Sequence, residues 1–124
     1  MDNSILNSIK KQLGITEEYN VFDKDIIMHI NSVFLTLNQL GVGPDNGFYI
    51  DDSADSWTDF IPDGILLNSV KTYVYLKVKL LFDPPGSSSA VDSINRTISE
   101  LEWRINVQVD PGKREEVTSN GKTK

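Results

Sequence analysis

Residues 65–86 read ILLNSVKTYVYLKVKLLFDPPG, a long apolar pattern cut off by two prolines and a glycine. No other stretch restricts the fold as much. A run of this length without a breaker outlasts an ordinary strand, so the spacing predicts a helix over about Ile65–Phe82. Leu66, Leu67, Val70, Tyr73, Val74, Tyr75, Leu76, Val78, Leu80 and Leu81 cover most of its circumference, leaving a narrow polar arc of Asn68, Thr72 and Lys79. A helix that is apolar nearly all round must be buried nearly all round. Other elements must therefore pack on several sides of it. Pro84 and Pro85 lack an N–H and push the preceding residue out of the helical region, so the helix must stop near Phe82. Asp83, Pro84, Pro85 and Gly86 are predicted to form an architectural hinge that turns the chain back.

Three further helices can be read around this one. Ile5, Ile9 and Leu13 recur at four-residue spacing and predict a short helix over Ser4–Leu13, with Asn3 as candidate N-cap and Gly14 as its stop. Ile26, Ile30, Val33, Leu37 and Leu40 lie within about 80° of one another at about 100° per residue and predict a helix over Asp23–Leu40. Asp23 and Asp25 suit its positive N-terminal end. Ile94, Ile98, Leu101 and Ile105 predict a helix over about Ala90–Val107, with Ser88 or Ser89 as cap. Between the second and third helices runs Gly41–Gly64, GVGPDNGFYIDDSADSWTDFIPDG, rich in turn formers and acids but carrying Phe48, Tyr49, Trp57 and Phe60. A loop this long in a compact domain is functional or disordered, and four aromatics argue against plain disorder. The fold expected is all-α: a small bundle of about four helices spanning residues 1–109, with a long acidic-aromatic loop between helices two and three. Residues 110–124, with no aromatic and a Lys/Glu/Ser/Thr mixture, are expected to form a flexible tail.

A chain of 124 residues is expected to form one domain. It has no cysteine, which excludes disulfides and thiolate metal sites. No basic-then-apolar N-terminal stretch is present and no apolar run approaches the length of about 18 residues that spans a bilayer, so a soluble, unexported protein is expected, with no membrane contact. Charge is unevenly spread. Residues 14–63 hold ten acids against Lys24 alone, −9; residues 1–13 sum to +1 and residues 64–124 to +2, giving the net −6. Such a chain lacks the basic footprint of a sequence-reading DNA binder.

Catalytic signals are few. His29 is the only histidine and falls at the edge of an apolar stripe, where packing explains it; no second histidine or cysteine completes a metal site. Asp51, Asp52, Ser53, Asp55 and Asp59 suggest calcium, but counting an EF-hand loop from Asp51 puts Ser56 at the glycine position and Pro62 at the glutamate position. A solvated acidic loop fits better. GVGPDNG has glycines but no phosphate-binding lysine, and GxGxxG, GxSxG and HExxH are absent. Asn95-Arg96-Thr97 matches a glycosylation sequon, which has no bearing without secretion. No enzyme activity, cofactor or metal is expected.

Apolar residues on the polar faces are more telling. Met28 and Leu35, seven apart, project opposite the core stripe of the second helix; Trp103 points away from Ile94, beside Arg96 and near Val107. Trp and Arg are enriched among interface anchors. The surface expected to carry self-association is Met28, Leu35, Trp57, Phe60, Arg96 and Trp103.

Four segments in this order, DIIMHINSVFLTLNQLGVGP, SWTDFI, VKTYVYLKVKLLFDPPGSS and INRTISELEWRINVQ, resemble the head–tail connector proteins of tailed phages, also called adaptor or head-completion proteins. The resemblance spans about residues 4–109. It implies a structural virion protein at the head–tail junction, assembled in the host cytoplasm. It further implies a homo-oligomeric ring of about twelve subunits beneath the portal protein. Such a ring extends the DNA channel, passes double-stranded DNA without reading it, and offers a platform for the next connector or tail-completion protein. Under that reading Asp45, Asp51, Asp52, Asp55 and Asp59 form a candidate channel-lining loop that repels DNA, and the tail is expected to order on the portal. The competing reading is a small helical interaction or regulatory module acting as monomer or dimer.

Overall fold

A computed structural model describes residues 3–109. They form five helices, α1 (Ile5–Gln12), α2 (Asp23–Gln39), α3 (Trp57–Phe60), α4 (Ile65–Phe82) and α5 (Ser88–Val109), and the described residues hold no strand beyond a single bridge between Ser4 and Ser56. The fold is an all-α bundle, as the periodicity predicts. The expected tail, residues 110–124, lies outside the described residues.

α4 is the central element and packs against both α2 and α5. Leu67, Val70, Tyr73, Val74 and Val78 are buried on it, each contributing about 1.5–3 kcal/mol by leaving water. Facing them are Ile26, Ile30, Val33, Phe34 and Leu37 of α2, and Ile98 and Ile105 of α5. The expectation that α4 is covered nearly all round does not hold within one chain. Ile65 and Leu81 are exposed, and Leu66, Tyr75, Leu76 and Leu80 are only partly covered. Two long helices close two sides, and α1, eight residues long, closes the third incompletely.

The α4–α5 joint follows from its sequence. Asp83 ends α4, its N–H donating to the Lys79 carbonyl, and its carboxylate pairs with Lys79 Nζ at 3.1 Å. α5 begins two residues earlier than expected and runs two residues further, to Val109, because no breaker precedes Asp110-Pro111. Its cap is Ser87, whose Oγ accepts the Ala90 N–H at 3.1 Å, so Ser88 and Ser89 lie inside the helix. The α1 cap is Ser4, not Asn3: Ser4 Oγ accepts the Asn7 N–H. Asn3 is instead drawn to the loop, its carbonyl accepting the Trp57 N–H at 2.9 Å while the Ile5 N–H donates to the Asp55 carbonyl.

Lys10 is the one buried charged residue among those described. Its ammonium meets Asp23 Oδ1 at 2.9 Å and donates to the Glu17 carbonyl at 3.0 Å, tying the α1–α2 connection to both helices. A buried ammonium requires such partners to be tolerated. None of the described helices is long and apolar enough to cross a membrane.

Candidate functional site

The 41–64 connection is folded against the body, not draped over it. Asn31 of α2 clamps it at mid-length: its Nδ2 donates to the Ile50 carbonyl at 3.0 Å, and its Oδ1 accepts the Ile50 N–H at 2.7 Å. Asn38, about two turns later on α2, donates its Nδ2 to the Pro44 carbonyl. Phe34 stacks edge-on with Phe48 (5.4 Å between centroids) and Trp57 (6.3 Å) and meets Phe60 at 4.6 Å. Around these rings the loop builds part of the core.

This changes the standing of two expected surface anchors. Trp57 is 1% exposed, and its Nε1 donates to Ser8 Oγ at 2.8 Å; Phe60 is also buried. Both belong to α3, a single turn closed by a capping box in which the Ser56 hydroxyl and Asp59 carboxylate accept each other's backbone N–H groups. Trp57 and Phe60 fill the chain's own interior and offer nothing to a partner without unfolding the loop. Their spacing of three places both on one face of that turn.

The other expected anchors stand at the surface. Met28 is 60% exposed, Leu35 63% and Trp103 65%. Arg96 is exposed and, among the described residues, takes part in no ion pair. Arg104, next to Trp103, pairs with Glu100 at 2.9 Å. Leu35 is not isolated. It and Tyr49, itself 66% exposed, are walls of a cleft of about 280 Å³ between α2 and the loop, with Phe34 and Phe48 among its lining and Asn38 and Asn46 as polar members. Tyr49 lies outside the set of residues expected from the helical periods. Its signal is local and of period two: Phe48 and Ile50 turn inward and Tyr49 between them turns out.

The acidic loop divides by use. Asp55 Oδ2 accepts the Asp51 N–H at 2.8 Å, Asp52 Oδ1 accepts the Ala54 N–H at 2.8 Å, and Asp59 closes the α3 cap. These are turn and cap bonds that Asp side chains make readily. Asp52, Asp55 and Asp59 are therefore committed to the chain's own backbone, while Asp45 and Asp51 have carboxylates without such bonds and face solvent. The described residues contain no group of three or more carboxylates or imidazoles that could hold a metal ion.

A second cleft, about 310 Å³, lies between α1 and α4 and is lined by Ser8, Gln12, Trp57, Lys71, Thr72 and Tyr75 among others. Lys71 Nζ lies 5.9 Å from the Trp57 ring centroid, a cation over an indole face. Its lining holds no carboxylate and no histidine, so no acid–base pair is assembled there. His29 is half-buried and edge-on to Phe82 at 6.4 Å, a packing contact at the end of the molecule where α2 begins and α4 ends. Among the described residues the two clefts are surfaces suited to contact.

Comparison with curated proteins and with solved structures returns no match. A protein-family model described as phage connector protein matches residues 5–112, a span that holds every helix described above. By that match the chain belongs to the phage connector protein family, a family of structural proteins of the virion.

Proposed function

We propose that the protein is a structural head–tail connector that assembles as a ring beneath the portal, prolongs the DNA channel and presents a platform to the next connector or tail-completion protein. It carries out no catalysis in this role. The observation that carries the reading is the exposure of large apolar side chains on two helices that flank α4: Met28 and Leu35 on α2, and Trp103 on α5. Rings are built from heterologous contacts, in which two different patches of each subunit meet. A chain of this size with apolar groups on both flanks has the two patches such a ring requires. The DNA-passage part of the reading rests on charge. A surface with ten acids and one lysine between residues 14 and 63 lets a polyanion slide past without holding it.

Electron microscopy of the purified protein mixed with its portal tests this directly. A ring stacked coaxially on the portal is the expected image. A stable monomer with no affinity for the portal would favour the competing reading, a small helical interaction module.

A further inference from the structure

We infer that the contact between neighbouring copies is a knob in a cleft: Trp103 of one copy seats in the Leu35–Tyr49 cleft of the next. The inference rests on the self-association proposed above and adds which two surfaces meet.

Three observations converge on this pairing. The first is shape. Trp103 stands out from α5 as an isolated, largely exposed indole, and the cleft beside α2 has a volume of about 280 Å³. That is below the range of sites for drug-sized ligands, about 300–1,000 Å³, and of the order that one large side chain fills. Interface anchors are typically single Trp, Tyr or Arg side chains seated in such pockets.

The second is chemistry. The walls contributed by Leu35 and Tyr49 are apolar and exposed, with the rings of Phe34 and Phe48 behind them. An indole brings a large apolar face and one N–H donor. Asn38 and Asn46 at the cleft provide amide oxygens that can accept it. The Asn38 Nδ2 is already given to the Pro44 carbonyl, which leaves its Oδ1 as the free end.

The third is charge. Asp45 adjoins Asn46, and Asp51 lies two residues beyond Tyr49, so the cleft is flanked by acids on both sides. Trp103 is flanked on α5 by the Arg104–Glu100 pair, whose charges offset, and two turns earlier on the same face by Arg96, which has no ion pair among the described residues and leaves that patch with a net positive charge. Opposite signs on the two patches favour this register and disfavour cleft against cleft or knob against knob. The cleft is also preformed. The Asn31 clamp holds Ile50, next to Tyr49, with two hydrogen bonds, so little ordering of the loop is required on docking.

Because knob and cleft are different patches of one chain, the pairing makes a distinctive demand on mixtures. Trp103→Glu removes the knob, and Leu35→Glu closes the cleft to an apolar occupant; both positions are exposed, so both variants should keep wild-type helicity by circular dichroism. Each alone should sediment as a monomer at concentrations where the wild type forms higher assemblies. Mixed one to one, they should form a dimer and stop there, since only the Trp103 of the Leu35→Glu copy and the cleft of the Trp103→Glu copy remain intact. If both variants assemble as the wild type does, the knob-in-cleft contact is wrong and the ring reading stands. If only one variant loses assembly, or the mixture stays monomeric, something other than a second copy's Trp103 occupies the cleft and the pairing is overturned. A wild-type chain that is monomeric throughout overturns both.

Discussion

At the scale of single residues, the buried Lys10 ammonium and the buried Tyr73 hydroxyl are each held by specific partners. Tyr73 of α4 is fully buried and donates its hydroxyl to Glu102 Oε2 of α5 at 2.7 Å. Burial above all, and then the hydrogen bond and charge of Glu102, push its phenol well above the ordinary value. In the unfolded chain that proton leaves near pH ~10, whereas the folded chain keeps it to higher pH. Above that point the folded state binds more protons than the unfolded one, so stability falls as pH rises. The contribution is complete below the unfolded value and is lost as pH climbs toward the folded one. Tyr73→Phe should therefore remove part of the alkaline slope in denaturant titrations across about pH 9–11. It should also lower stability at neutral pH by about 1–3 kcal/mol, because Glu102 loses its donor. Identical slopes for the two proteins would show that the pair does not couple folding to protons.

At the scale of elements, the loop between α2 and α4 depends on Gly43. Its φ of +88° lies in the left-handed region, and a Cβ placed there would overlap the Phe60 ring. Gly43→Ala should cost about 2–4 kcal/mol, strain and overlap together, in a chemical unfolding curve. A change below half a kcal/mol would mean that the loop rearranges at will. This dependence also marks where sequence reading reaches and where it stops. α2 and α4 are legible because many apolar residues repeat at helical spacing over many turns, and the Pro84-Pro85 stop fixes the end of α4 to the residue. α3 is not legible, since a single turn has no period to detect. Its Trp57 and Phe60 read equally well as anchors for a partner until the Asn31 clamp and the bridge to the N-terminal residues fold the loop inward. Caps slip by one residue for a similar reason. Asn3 and Ser4 are both good caps by type, and only the pull of the loop on Asn3 decides between them. Among surface residues, Met28, Leu35 and Trp103 are legible because each sits on the wrong side of a clear stripe, whereas Tyr49 stands in a segment too short for any stripe.

At the scale of the whole molecule, the chain separates its tasks by region. Residues 14–63 carry a net charge of −9 against −6 for the whole chain, while the core is drawn from all five helices and the 41–64 connection. A connector that passes DNA must not retain it. In a gel-shift titration with duplex DNA at about 0.15 M salt, where surface charges are screened beyond about 8 Å, the protein should show no complex. A complex that weakens steeply with added salt would reveal a basic DNA-holding surface and count against passive passage. The ring proposed above depends instead on apolar contacts, and so on the few side chains that the folded single chain leaves wet. The two tryptophans fall on opposite sides of that divide: Trp57 dry inside the loop, Trp103 wet on α5. Indole emission follows the polarity of its surroundings, so the molecule carries two optical reporters of opposite sign. Unfolding shifts light from Trp57 to the red, and docking of Trp103 shifts it to the blue. A single spectrum can therefore tell a chain that has lost its fold from one that has gained a neighbour.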